Sequence, residues 1–95
     1  MEDEFFTFDP AKDLRNVLKH GLSLRKVRAV YLSPDKLTLS SSRFGEERLM
    51  DVAEAGQQVW VLVYVQREDI VRFISLRFAS KQERGLYAKW KNENT

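Results

Sequence analysis

The sequence has 95 residues, 43% of them hydrophobic and 12% aromatic, which is typical of one globular domain and excludes a disordered chain. It contains no cysteine and a single histidine, His20, which excludes disulfides, thiolate chemistry and metal sites built from cysteine or several histidines. No stretch approaches the ~18 apolar residues of a membrane span, and the acidic N-terminus lacks the basic start of a signal peptide. We expect a cytoplasmic protein with no membrane partner, forming a single domain over residues 1–95 that is ordered from about residue 5 to 90.

The formal net charge is only +2, but the charges are unevenly distributed along the chain. Residues 1–13 carry five acids and one base, whereas residues 14–43 carry seven bases and one acid. Such a basic segment attracts a polyanion, and nucleic acid is the commonest polyanion in the cytosol. A solvated surface without a partner explains the charge alone equally well.

The predicted elements begin with a short strand at residues 5–8 and a helix that starts at Asp9-Pro10. An aspartate suits the N-cap, and proline suits the first helical position. Gly21 suits the C-terminal end of this helix. Its apolar stripe, at helical spacing, consists of Ala11, Leu14, Val17 and Leu18. Ser23 can cap a second, shorter helix, whose buried side consists of Leu24, Val27, Val30 and Tyr31.

Four strands are predicted next, joined by a loop at residues 42–46 and by short turns. Leu37 and Leu39 alternate on one face of the first strand. The third strand is apolar on both faces, which places it in the middle of the sheet. The four strands span residues 36–41, 48–54, 59–65 and 70–78.

A last helix follows, opened by the capping-box spacing of Ser80 and Glu83 and carrying Leu86, Tyr87 and Trp90. We expect residues 91–95 to be frayed. The order of elements predicts an α+β fold, a small antiparallel sheet with two N-terminal helices and one C-terminal helix packed on it.

A polar stripe lies opposite the apolar one on the first helix. Lys12, Asn16 and Lys19 are spaced i, i+4 and i+7 and share a face, which His20 borders. The stripe is either a solvated surface, with His20 favoured by the helix dipole, or part of a site that binds an anion.

Two strand arginines, Arg48 and Arg77, share their faces with apolar residues. By simple alternation, Arg48 lies with Met50 and Val52, and Arg77 lies with Val71, Phe73 and Ser75. A guanidinium at such a position forms an ion pair or lines a cleft, where its fork suits phosphate oxygens.

Two further candidates, Glu83 as a catalytic carboxylate and Tyr87 as a base-stacking residue, are better explained as a capping residue and a packing residue. The sequence has no glycine-rich phosphate loop, no Gly-x-Ser-x-Gly motif and no metal-ligand spacing. A hydrolase built from lysine, arginine and histidine suits cleavage of RNA by its own 2′-hydroxyl, because the substrate supplies the nucleophile.

Three segments follow one another along the chain: Phe8-Asp9-Pro10-Ala11-Lys12 with Asn16 and Lys19-His20-Gly21-Leu22-Ser23, then Gly45-Glu46-Glu47-Arg48, then Ile74-Ser75-Leu76-Arg77-Phe78-Ala79 with Glu83 and Tyr87. Together they resemble BrnT-type toxins of bacterial type II toxin–antitoxin systems. The similarity runs from about Phe6 to Tyr87, nearly the whole chain.

This resemblance implies a RelE-like fold and a metal-independent endoribonuclease, without cofactor, that inhibits translation. It implies an RNA substrate, a cognate DNA-binding antitoxin that neutralises the toxin, and the ribosome as a further candidate partner. The resemblance implies catalytic roles for Lys19, His20, Arg48 and Arg77. Our hypothesis is that His20 or Lys19 transfers protons and that the two arginines hold phosphate. The supporting RNA-binding residues would be Lys12, Arg15, Asn16, Glu83 and Tyr87.

The chain also departs from the family pattern. After Ser23 the family continues with phenylalanine and acidic residues, where this chain has Leu24-Arg25-Lys26. Ser33 replaces a common acid, and Phe78 a common base. If the acidic position is the family's general base, this chain is instead a catalytically weakened or inactive protein that binds antitoxin and RNA. A stand-alone DNA-binding regulator is disfavoured, because the two helices lead into a sheet.

Overall fold

The computed structural model describes residues 9–43 and 45–94, and the predicted strand at residues 5–8 lies outside them. The described residues form one antiparallel sheet in the order β1-β2-β3-β4, with three helices. The predicted α+β class is confirmed. The elements are α1 (Pro10–His20), a single 3-10 turn (Leu24–Lys26) leading into α2 (Val27–Tyr31), β1 (Leu37–Arg43), β2 (Glu46–Ala55), β3 (Gln58–Arg67), β4 (Ile70–Phe78) and α3 (Lys81–Glu93). None of the described helices is long and apolar enough to cross a membrane.

The two ends of α1 and the start of α3 lie where the local sequence predicts them. The Asp9 carboxylate caps α1, Pro10 is its first residue, and Gly21 ends it in the left-handed region at φ 75°. Ser80 and Glu83 form both hydrogen bonds of a capping box at the start of α3. These contacts satisfy backbone N–H groups that a helix leaves without partners at its first turn.

Two predicted boundaries were wrong. The loop at residues 42–46 is shorter, because Ser42 pairs with Glu47 and Arg43 pairs with Glu46 in the ladder between β1 and β2. The helix α3 continues to Glu93, so residues 91–93 are helical rather than frayed. In both places regular hydrogen bonding extends further than the composition indicates.

The sheet has two faces, named here after the helices that cover them. The α2 face packs against the 3-10 turn and α2, whose Leu24, Val27 and Val30 are fully buried. The α3 face is covered only in part, since α3 places the buried Tyr87 and the half-buried Trp90 at one end of it. The remainder of the α3 face is left uncovered by the described helices, and it forms the floor of the site described below.

A β-bulge lies in β4. Val63 pairs with Ser75, but the next residue of β3, Tyr64, pairs with Phe73, so Ile74 is an additional residue in the ladder. A bulge shifts the alternation of side chains by one position in the strand that contains it.

The bulge overturns one prediction from simple alternation. Val71 and Phe73 pack with the core on the α2 face, whereas Ser75 and Arg77 lie on the α3 face. The prediction that Arg77 shares a face with Val71 and Phe73 was therefore wrong. The bulge also places Arg72 on the same face as Arg77, although the two are five positions apart in the sequence.

The helix α1 packs along the outer edge of β4 through its polar side. The Asn16 amide donates to the carbonyl oxygens of Leu76 (2.8 Å) and Leu22 (2.6 Å), and its oxygen accepts from the Leu76 N–H (3.1 Å). The outer edge of an edge strand has backbone N–H and carbonyl groups that no neighbouring strand pairs. The Asn16 side chain supplies the missing hydrogen-bond partners. An amphipathic helix ordinarily buries its apolar stripe, but here the polar side faces the sheet and the stripe is exposed: Leu14 59%, Val17 41% and Leu18 77%.

Candidate active site

An open cleft of ≈ 550 Å³ lies between α1 and the uncovered part of the α3 face. One wall is the polar side of α1, and the floor is formed by strand residues. We call it the cationic cleft. Its lining residues are Lys12, Arg15, Asn16, Lys19 and His20 from α1, and Ser41, Arg48, Met50, Val63, Ile74, Ser75 and Arg77 from the sheet.

The cleft brings together most of the residues singled out in the sequence. All five candidates on α1, together with Arg48 and Arg77, line it. Glu83 does not line the cleft but binds Arg77. Tyr87 is buried beneath α3, where its hydroxyl donates to the Asp35 carbonyl oxygen at 2.8 Å, as a packing residue does.

The Arg48 side chain, which lines the cleft, has a buried nitrogen, Nε, without a hydrogen-bond partner among the described residues. A buried guanidinium nitrogen without a partner is unfavourable, because it has lost water and gained nothing in return. Arg48 is therefore suited to receive an acceptor atom from a ligand.

Arg77 forms an ion pair and lines the cleft at the same time. Its two terminal nitrogens donate to the two carboxylate oxygens of Glu83 at 2.7 and 2.8 Å. The hydrogen bonds from Arg77, against the opposing effect of burial, lower the pKa of Glu83 to about 2. Glu83 is thus ionised at neutral pH and holds Arg77 in place, rather than serving as a proton donor.

Glu83→Gln should remove this pH-dependent stabilisation. The folded-state pKa of about 2 lies below the ordinary 4.5, so the carboxylate stabilises the fold fully above about pH 4.5 and loses this effect as pH falls towards 2. We expect the variant to be less stable at pH 7 by up to about 3 kcal/mol and to lose less stability than wild type on acidification. Urea unfolding between pH 7 and pH 2.5 measures this.

Glu93→Gln, an equivalent change at the exposed end of α3, is the matched control and should leave the pH dependence as in wild type. Equal acid sensitivity of wild type and Glu83→Gln would show that the Arg77–Glu83 pair does not stabilise the fold.

The electrostatic environment of the cleft disfavours further positive charge. Burial, then the neighbouring Lys19 and Arg77, lower the pKa of His20 below its ordinary 6.5, so its imidazole is largely neutral at neutral pH. Burial, then Arg72 and Arg15, also lower the pKa of Lys12.

No carboxylate is among the described lining residues of the cleft, and the described part of the chain holds no cluster of three or more metal-ligating side chains. A neutral imidazole accepts a proton, and the surrounding cations attract an anion. The cleft can therefore bind a phosphate group and remove a proton beside it.

Sequence reasoning missed one cation near this site and one buried network behind it. Arg72 escaped notice because alternation alone assigns it to the opposite face from Arg77. Asp51 is fully buried on the α2 face, where its carboxylate accepts from Lys36 Nζ (2.7 Å), Thr38 Oγ1 (2.7 Å) and the Tyr64 hydroxyl (3.0 Å). The only sequence signal for this network was that Asp51 lies in a strand with alternating apolar residues and would need a partner on a neighbouring strand.

Comparison with known protein families shows which family the chain belongs to. A family model described as the ribonuclease toxin BrnT of type II toxin–antitoxin systems matches residues 8–83. The chain belongs to this family. The match spans the whole of the cationic cleft's lining, from Lys12 to Arg77, and it also includes Glu83. No curated protein matched the sequence. Membership of a type II toxin family implies an antitoxin partner.

Proposed function

We propose that the chain is a metal-independent endoribonuclease that cleaves RNA in the cationic cleft by attack of the RNA's own 2′-hydroxyl. One observation carries the proposal: His20, whose pKa is lowered, shares a carboxylate-free cleft with Arg48 and Arg77. Those groups supply a base and two phosphate ligands without a metal ion. Membership of a ribonuclease toxin family supports the same chemistry.

The reaction needs two proton transfers and one anionic transition state. In our proposal, His20 accepts the 2′-hydroxyl proton while the 2′-oxygen bonds to phosphorus. Arg48 and Arg77 stabilise the negative charge of the pentacoordinate phosphate. The bond from phosphorus to the 5′-oxygen then breaks, and that oxygen takes a proton from Lys19. The products are a 2′,3′-cyclic phosphate and a 5′-hydroxyl end.

The departure from the family at Leu24-Arg25-Lys26 does not remove a group from the cleft. Leu24 is buried in the core of the α2 face. Arg25 lies 3.9 Å from Asp13, and the Lys26 ammonium lies over the Trp60 ring. None of the three lines the cationic cleft. This placement favours an active enzyme over the catalytically weakened binding protein.

In our proposal, inhibition of translation follows from cleavage of messenger RNA, and an antitoxin neutralises the chain by covering the cationic cleft. A segment with acidic side chains would suit the excess of cations there. A complex in which Arg48 and His20 stay open to solvent would contradict this mode of neutralisation.

The test is cleavage of an end-labelled single-stranded RNA by the purified protein in EDTA. We expect wild type to release a cyclic-phosphate product and the double variant His20→Ala, Arg48→Ala to release none. Neither replaced side chain has a described partner that would lose its hydrogen bond, so the double variant should fold. Cleavage by both proteins equally would mean a contaminating nuclease or a site elsewhere. A product without a cyclic phosphate would exclude attack by the 2′-hydroxyl.

A further inference from the structure

A second cleft of ≈ 380 Å³ adjoins the cationic cleft on the α3 face. The two clefts share Lys12, Arg48 and Ile74, so together they form one continuous groove across the sheet. The second cleft extends towards the hairpin between β3 and β4. Its other lining residues are Glu46, Val65, Arg67, Ile70 and Arg72.

The second cleft has an apolar floor and cationic edges. Val65 is 6% exposed, Ile74 is half-buried, and Ile70 at the margin is 71% exposed. Glu46, the only described acid in the lining, is neutralised by an ion pair with Arg67. Such a surface suits a nucleobase, which has an apolar face and is attached to a phosphate.

Arg72 and Lys12 are the cations available at this edge. Within the described residues, no carboxylate forms an ion pair with Arg72. After burial, Arg72 is the neighbouring charge that lowers the pKa of Lys12 the most. The repulsion between these two cations is offset only in part by the Asp9 carboxylate, which raises the pKa of Lys12, and a bound phosphate relieves it further.

The bulge at Ile74 leaves an arginine from β4 in each of the two clefts of the groove. It places Arg72 and Arg77 on one face, separated along β4 by about 15 Å at the usual rise per residue. A stacked strand advances by about 3.4 Å per nucleotide, so the groove corresponds to roughly four nucleotides. A site for one scissile phosphate alone would not need this length.

We propose that the second cleft is a binding subsite for a nucleotide flanking the cleavage point, with its base on Val65 and Ile74 and its phosphate between Arg72 and Lys12. The proposal rests on the proposed function, because it places the scissile phosphate in the cationic cleft. The substrate is then single-stranded RNA held over about four nucleotides. The apolar floor makes this subsite a place where cleavage specificity is set.

The test measures binding of fluorescein-labelled 2′-O-methyl oligonucleotides of two to eight residues by fluorescence polarisation. These probes have no free 2′-hydroxyl and cannot be cleaved, so binding is separated from catalysis. We expect wild-type affinity to rise at least tenfold between two and five nucleotides. Arg72→Gln should reduce this gain to less than threefold. It should also make the slope of log affinity against log salt concentration shallower, by the amount expected for about one phosphate contact. Ile70→Asn removes the apolar margin of the same cleft beside the proposed base position, and it should also reduce the gain, at unchanged charge.

Lys89→Gln is the matched control, because it removes a cation from the exposed side of α3, outside both clefts, and should leave the gain intact. If wild type binds no oligonucleotide at any length, the proposed function itself fails. If wild type shows the gain and Arg72→Gln and Ile70→Asn retain it, only the subsite is wrong. An equal loss in Lys89→Gln would mean non-specific attraction to net charge, which also overturns the subsite.

Discussion

His20→Ala is expected to lower kcat/KM for RNA cleavage by roughly 100- to 10,000-fold, because it removes the group that in our proposal accepts the 2′-hydroxyl proton. The loss should lie in kcat, since the proposed phosphate ligands Arg48 and Arg77, on which KM would depend, are unchanged in this variant. The wild-type rate should rise with pH and level off above the His20 pKa. That pKa lies below 6.5, because burial, Lys19 and Arg77 all disfavour the imidazolium.

The sequence makes this prediction unusually direct to check, because His20 is the only histidine. In tag-free protein a single imidazole resonance titrates, and its midpoint in NMR should coincide with the acid limb of the rate profile. Lys89→Ala, on the exposed side of α3, should leave both the rate and the midpoint unchanged. An acid limb that persists in His20→Ala would assign the base to another group, and wild-type activity in that variant would remove His20 from the mechanism.

The parts of the fold that local chemistry dictates could be predicted from the sequence. The helix ends depend only on contacts within a few residues along the chain, so no tertiary information is needed to predict them. The residues concerned are Asp9-Pro10, Gly21 and the capping box of Ser80 and Glu83. The central position of β3 could likewise be predicted, because a strand that is apolar on both faces has to be covered on both faces, as a strand in the middle of a sheet is.

The bulge at Ile74 could not be predicted, because no glycine or other local signal marks it. It exists only through the pairing of β4 with β3, and one additional residue changes which face every later side chain occupies. The consequence reaches the candidate site. Simple alternation separates Arg72 from Arg77, whereas the folded chain places both on the α3 face.

The packing side of α1 shows a similar limit. Helical periodicity identifies two opposite stripes, but it does not say which of them meets the sheet. Asn16 decides this, because the exposed edge of β4 offers an N–H and a carbonyl at Leu76 that an amide side chain can pair at once. The spacing of Lys12, Asn16 and Lys19 was nevertheless sufficient to predict that these residues share one face, and the structure places all three in the cationic cleft.

The second large effect concerns stability, in the buried network of Asp51. Asp51→Ala is expected to lower the free energy of unfolding by about 3–5 kcal/mol, because it leaves the Lys36 ammonium, a threonine hydroxyl and the Tyr64 hydroxyl without their shared acceptor. A loss of that size is a large fraction of the 5–15 kcal/mol typical of a small domain. Urea unfolding at pH 7 measures it. Lys36→Met should be comparably destabilising, since it leaves a fully buried carboxylate without a cation.

The double variant Asp51→Ala, Lys36→Met should lose clearly less than the sum of the two single losses, because each single change leaves a charge that the other removes. Glu54→Ala, an exposed acid on the same strand, is the control and should cost less than about 1 kcal/mol. Additive losses, or a loss below 1 kcal/mol for Asp51→Ala, would mean that Lys36 finds water instead. Since Asp51 faces α2 and the cleft lies on the opposite face, folded Asp51→Ala protein should still cleave RNA well below its melting temperature. That result would distinguish the structural role of Asp51 on one face of β2 from the proposed substrate-binding role of Arg48 on the other.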